Sequence, residues 1–446
     1  MIKEYFIELK TLNRSHNLFL PFLLLVISIP LPVFINNLFI FLLTVIVLIG
    51  VTKKQVKYNL VWSLLIIFFL LCCLSISWSI DFKSSLNTIP RLIPMLVVPF
   101  AFMISKSFET NHKTAILKYY SYAMLLLTIT FLLRAVLRYF ITNDFRVFFF
   151  HGENEIDYGL VPKLLNAVHV SVFVVIGYFF FLSKEIKTRK DYLAISLLLG
   201  FIILLSCKSI ILIVILSSVI HYLYFSKLSH KLRMKNLIVF WFLIILAFSY
   251  SKIKDRFEFE FQTNTNTSLS ANVIEGIPNK VHYVSIKEAW TNQMFTANDY
   301  FNGTAFRVYQ FRIFTELVNE NNMFFTGFGL NASYPKIKEK AFHYNLYTGE
   351  KNVSDSGYQS MNFHNQFIQS FADLGVFGFL LMISMIFISA KNAIRSKDFM
   401  HFAFSILMIS LFLTESFLLR QRGVVFFTMM YCLFNSGITQ NSSKSE

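Results

Sequence analysis

Apolar residues in this chain come in long unbroken runs, and polar residues come in short clusters between them. Runs such as Leu60 to Ser75, Tyr192 to Ser206 and Asn236 to Ser249 hold few or no charges, the pattern of helices surrounded by lipid or by other helices. Laying the runs out gives about twelve candidate spans: 18–34, 36–51, 59–78, 91–105, 119–138, 164–183, 192–206, 210–225, 237–251, 366–390, 399–416 and 423–438. The expected fold is an all-α polytopic membrane protein. One segment breaks the pattern: from 252 to 364 the chain is polar, with an Asn- and Thr-rich stretch from Thr263 to Asn272. A connection this long is functional or disordered rather than a simple link. The chain thus divides into about nine spans over 1–251, a large, partly helical loop over 252–364, and about three spans over 365–446.

Charge gives the orientation. Lys3, Lys10 and Arg14, then Lys53, Lys54 and Lys57, then Lys106, Lys113 and Lys118 fall on one side if the spans alternate. So do the clusters around Lys184 to Lys190, Lys227 to Lys235 and Lys391 to Lys397. Basic loops mark the cytoplasm, so both termini are expected inside and the large loop on the outer face. The stretch 192–226 would make a helix about 50 Å long, too long for a hydrocarbon core of about 30 Å. Basic clusters flank both its ends, so it must go out and come back, turning at Ser206-Cys207-Lys208-Ser209. Each arm is short, which leaves Lys208 recessed. A recessed cation either snorkels to the headgroups or serves a site, and the hairpin geometry favours the site.

Composition adds exclusions. Charged residues make up 15 % of the chain and hydrophobic ones 55 %, against about 25 % charged in soluble domains, and the mean hydropathy is +0.56. The net charge of +16 sits in short connections, not in a stripe, which argues against nucleic acid. Cys72, Cys73, Cys207 and Cys432 lie in or beside apolar runs, so disulfides and thiolate metal sites are not expected. The first run, from Leu18, lacks a small-residue cleavage site and reads as a retained span.

Within the loop, Val308, Phe311, Ile313, Phe314 and Leu317 form one face of a helix over 306–318 that also carries Arg307 and Arg312. Thr326-Gly327-Phe328-Gly329 then marks a turn. With no Walker lysine and no preceding strand, it does not read as a phosphate cradle. His364 stands where the loop meets the next apolar run; a lone histidine there is an interfacial hydrogen-bonding residue or a catalyst. His282 and His343 share the loop without zinc-ligand spacing, so no metal and no cofactor is expected. Glu415, Arg420 and Arg422 crowd the last outer connection, where an ion pair between two helices and substrate contact are both open. The outer face thus gathers Lys208, Arg307, Arg312, Arg420 and Arg422, a set suited to a diphosphate or another lipid-linked anion.

The order and spacing of these residues resemble the bacterial O-antigen ligase and polymerase superfamily. The matching features are the hairpin tip Ser206-Cys207-Lys208, the helix opening Phe306-Arg307-Val308-Tyr309-Gln310-Phe311 and the turn Thr326-Gly327-Phe328-Gly329. The block from His364-Asn365 to Gly375 and Gly378 is the most specific of them, and Ser77-Trp78-Ser79 followed by Arg91 and Pro94 also fits. The resemblance implies transfer of a glycan from an undecaprenyl-diphosphate carrier to an acceptor hydroxyl, on lipid A-core for a ligase or on a growing glycan for a polymerase. It implies His364 as the acceptor-activating residue, with Lys208 and Arg307 on the donor diphosphate. Two positions depart from the family pattern: Lys208 stands where arginine is usual, and Phe311 where tryptophan is frequent. A polysaccharide flippase or another transporter is the alternative from a different class. Such proteins carry internal repeats and mid-membrane charges, neither evident here.

Overall fold

In the computed structural model of the chain, the described residues are 2–51, 56–105, 108–149, 159–162, 165–249, 282–296, 299–347, 357–359 and 361–436. The Thr263 to Asn272 stretch lies outside them, as do Lys53, Lys54 and Lys106 of the basic clusters. The described chain is overwhelmingly helical. Five stretches are long and apolar enough to cross a membrane: Leu60–Trp78, Phe82–Ile104, Thr110–Thr142, Lys208–Phe225 and Gln366–Ser396. Val33–Ile49, Ala167–Ser183 and Phe399–Thr414 are apolar but shorter. Outward side chains on these helices are themselves apolar, among them Leu126, Leu133, Leu212, Leu216 and Phe387. In water this would be a very large sticky surface; against lipid it is the ordinary one.

The N-terminal half comprises α1 (Ile2–Ser15), α2 (Phe19–Ile27), α3 (Val33–Val51), α4 (Leu60–Leu74), α5 (Phe82–Leu92), α6 (Pro94–Ile104) and α7 (Thr110–Thr142). Several differ from the expected spans. The run 18–34 is a helix of only nine residues, about 14 Å of rise. It stops before Pro30 and Pro32, neither of which has an N–H to continue it. The run expected over 119–138 is a helix of 33 residues, because Lys113 and Lys118 lie inside its first turns and not before them. Their charges are used there: Lys113 pairs with Asp398 at 2.8 Å and Lys118 with Glu8 of α1 at 2.8 Å.

The second half continues with α8 (Ala167–Ser183), α9 (Arg189–Leu204), α10 (Lys208–Ile220) and α11 (His230–Phe248). Thr188 and Asp191 form a capping box that starts α9, and Ser206, at φ +56°, turns the chain into α10. After the loop come α12 (Ile286–Thr291), α13 (Gly303–Glu320), α14 (Tyr334–His343), α15 (Gln366–Ser396), α16 (Phe399–Thr414) and α17 (Gln421–Asn435). The rings of His221 and Phe225, just past α10, meet Phe399 at 4.4 and 5.5 Å. The far end of α10 therefore lies beside the start of α16, and the two helices run antiparallel along each other. They are of similar length, so Lys208 stands level with Thr414 and Glu415. This end of the bundle, which carries residues 282–364, is the loop end; the end holding Lys113, His221 and Lys397 is the basic end.

The loop block has its own core. Phe295, Phe301, Phe306, Tyr309 and Phe363 are buried in it, each contributing about 1.5–3 kcal/mol. Two short parallel strands, β1 (His282–Val284) and β2 (Asp299–Phe301), close one side, and Asn302 caps α13 by accepting from Ala305 N.

The block is locked to the bundle at a kink. Gly375 interrupts α15 with φ +67° and ψ −163°, which frees helix carbonyls from their usual partners. Ala372 O and Asp373 O accept from Phe328 N and Gly329 N at 2.8 and 2.9 Å, and Val376 N donates to Phe324 O at 2.8 Å. Only glycine fits here: a Cβ on Gly375 would lie 2.2 Å from Phe325 O. From the other side, Trp78 Nε1 donates to Thr326 O at 2.9 Å and Ile80 N to Phe328 O at 3.0 Å. Ser75 accepts from Leu330 N, and Ser85 donates to Leu330 O. The glycine turn is thus a joint between α4, α5 and the kinked α15.

Candidate active site

His364 ends the loop block. Its backbone is left-handed, φ +47°, an uncommon conformation for a side chain of this size. It is held by Asn362, whose Oδ1 accepts from His364 N at 2.8 Å. Asn365 then caps α15, its Oδ1 accepting from Phe367 N and Ile368 N, while its Nδ2 reaches Leu413 O at the end of α16. Gln366 adds a second tie by accepting from Leu418 N at 2.8 Å. These bonds fix the imidazole against the last outer connection.

There His364 Nδ1 lies 3.3 Å from Glu415 Oε2, and Arg307 pairs with Glu415 Oε1 at 3.2 Å. Arg307 also donates through Nε to Thr414 O at 3.0 Å and through a terminal nitrogen to Gly303 O at 2.9 Å. A guanidinium has five N–H groups, so these three bonds leave two for a ligand. All three side chains are partly open: 27 % for His364, 36 % for Arg307 and 26 % for Glu415. With Nδ1–H directed at the carboxylate, a neutral imidazole presents a bare Nε2.

The cluster opens on a cavity of about 430 Å³. Arg307, His364 and Asn365 line its polar edge; Phe311, Phe367, Phe379, Ile383 and Leu413 line the rest. Phe379 and Ile383 lie beyond the Gly375 kink, so the cavity extends from the loop block alongside the bundle. Trp290 stacks on Phe311 at 6.1 Å. Among the described residues, no three His, Cys, Asp or Glu side chains come together as a metal would need.

The remaining sequence-selected residues fall in different places. Lys208 is half-buried at the start of α10. Arg91 and Arg420, both exposed, lie within electrostatic reach of Tyr334, and Arg422 donates to Leu31 O at 3.1 Å. Arg312, expected among the diphosphate-facing cations, lies in the loop core instead. It pairs with Glu316 at 2.9 Å, donates to Asn292 O at 2.7 Å, and sits 4.4 Å over the Tyr344 ring. Glu415 turns both oxygens to the loop block and not along the connection toward Arg420.

Two residues not singled out from the sequence belong to the surroundings. Tyr334 hydrogen-bonds Asn362 and so reaches the His364 turn; burial and the Asp373 charge push its hydroxyl up to about 12, against Asn362, Arg420 and Arg91. Asp373 is buried and accepts from Gln369 at 3.0 Å. A carboxylate inside an apolar run was the available signal for it.

Residues 166–383 match the protein-family model described as O-antigen ligase. The match includes Lys208, Arg307, His364 and Asn365 and stops short of Glu415. No curated protein matches the chain.

Proposed function

The chain belongs, through residues 166–383, to the O-antigen ligase and polymerase superfamily, and from that premise we propose that it transfers a glycan from an undecaprenyl-diphosphate carrier to an acceptor hydroxyl at the loop end. The observation that carries this reading is the His364–Glu415–Arg307 cluster at the mouth of a largely apolar cavity. In the proposed step, His364 Nε2 takes the proton of the acceptor hydroxyl as its oxygen bonds the anomeric carbon of the donor sugar. The bond from that carbon to the phosphate oxygen breaks, and the carrier leaves as the diphosphate. Glu415 holds the imidazole in the tautomer with Nε2 free and stabilises the imidazolium that forms. Arg307, with two N–H groups to spare, and Lys208 take the charge developing on the leaving diphosphate. The apolar walls suit a lipid tail entering from the bilayer. No metal is assigned a role.

This reading places about twelve spans in an inner membrane, both termini in the cytoplasm and the 252–364 segment in the periplasm. The test is transfer of a lipid-diphosphate-linked oligosaccharide by the purified chain with a chelator present. Activity abolished by the chelator, or none with any such donor, overturns the mechanism. Glycan analysis of a deletion strain separates the acceptors: surface lipid without polymer marks a ligase, single repeat units a polymerase.

A further inference from the structure

The basic end of the bundle holds a second cavity, of about 400 Å³, to which no part of the transfer reaction extends. The 31 residues of the kinked α15 separate it from His364. Lys184, Lys227, Lys397 and His221 line it, with Glu185 and Asp398 among them. The carboxylates are already neutralised. Glu185 pairs with Lys227 at 2.6 Å, Asp398 with Lys113 at 2.8 Å, and nearby Asp191 with Lys184 at 2.5 Å. That leaves Lys397 and Lys187 as surplus positive charge.

Lysines at a membrane edge attract anionic lipid without any site. Three further features distinguish this place. His221 is 4 % exposed and lines the cavity, a buried polar ring at its wall. The chain leaves α10 through a π-turn over His221–Phe225, an irregularity that often marks functional sites. Lys397 occupies the turn between α15 and α16 with φ +52°, at a backbone cost that glycine would not incur. Burial holds the Lys187 ammonium below its ordinary value, with Lys184 acting in the same direction and Asp191 against it; an anion nearby would relieve this. Ile186 and Tyr224, exposed on the adjoining segments, offer apolar contact of the kind found at the headgroup level.

We propose that this cavity is a binding site for the phosphate of an anionic phospholipid headgroup, held by Lys397, Lys227 and His221 while the acyl chains stay in the bilayer. The site clamps the α10–α11 connection to the α15–α16 turn.

The delipidated full chain in neutral detergent is titrated with phosphatidylglycerol, phosphatidylcholine or inorganic phosphate while its melting temperature is followed. A saturable rise with phosphatidylglycerol alone is expected. Lys397→Gln weakens the apparent affinity for phosphatidylglycerol about five-fold, the usual worth of one charge at a membrane surface. Glu185→Gln, which frees Lys227, strengthens it by a similar factor, so the proposal survives a poorly folding first variant. Equal shifts with phosphatidylcholine, a shift reproduced by inorganic phosphate, or unchanged affinity in both variants overturns it.

Discussion

Arg307 and Arg312 lie five residues apart on α13 and look alike in sequence, yet the fold uses them in opposite ways. Arg312 is 7 % exposed and closed on all sides by Glu316, the Asn292 carbonyl and the Tyr344 ring. Lys340 completes this network by bonding Glu316 and Glu320. Arg307 is 36 % exposed and shares its carboxylate with a histidine from another element. A saturated cation holds the block together; a cation with donors to spare, beside a cavity, can meet a substrate. Residue type and helical spacing do not separate the two; the partners do.

The comparison can be broken by four measurements. The largest effect belongs to His364→Ala, which should lower turnover by roughly 10² to 10⁴-fold, the worth of a general base, with donor binding nearly intact. Wild-type transfer by this variant removes the histidine from the mechanism. Next, Arg312→Ala should destabilise the loop block by about 1.5–3 kcal/mol, because Glu316 and the Asn292 carbonyl each lose a charged hydrogen bond while Lys340 still holds Glu316. Arg307→Ala should instead weaken donor binding and lower transfer by about 10²-fold with little change in melting temperature; equal melting losses would erase the distinction drawn here.

The third measurement uses pH. Burial raises the Glu316 carboxyl, but hydrogen bonds from Lys340, Tyr344 and Arg312 outweigh it and hold it below 4.5. A depressed carboxyl contributes stability that is fully present above its unfolded value and lost as pH falls through its folded one. Limited proteolysis should therefore find the loop block more susceptible below about pH 4, and Glu316→Gln should lessen that dependence, the depressed Glu288 carboxyl leaving a remainder. The smallest effect is Lys208→Arg, which keeps the cation at the hairpin tip and should retain near-wild-type transfer, whereas Lys208→Ala should lose donor affinity. Full activity in Lys208→Ala would detach the hairpin tip from the diphosphate.

Much of this was legible in the chain, for reasons that differ by element. The hairpin tip at 206–208 and the loop helix were readable because charge spacing and a 3.6-residue period are local signals. The extra helix α1 and the early start of α7 were not, since Glu8 and Lys118 look like solvent-facing charges until they pair with each other. His364 could be singled out by its place at the loop's end. Glu415 could be singled out as well, but not its pairing: it is 51 residues further on, and 108 from Arg307, so no window of sequence contains the cluster. Gly327 read as a turn signal and Gly375 only as part of the family-like block. Their use, letting two backbones come within bonding distance, requires the fold.

The position of Glu415 also sets a timetable. Chains are synthesised at about 5–20 residues per second, so His364 precedes its carboxylate by several seconds. Throughout that interval the loop block can already close on Trp78 and Gly375 while the imidazole has no partner at Nδ1. The cluster is thus completed only when α16 has been laid against α10, and until then His364 stands without Glu415.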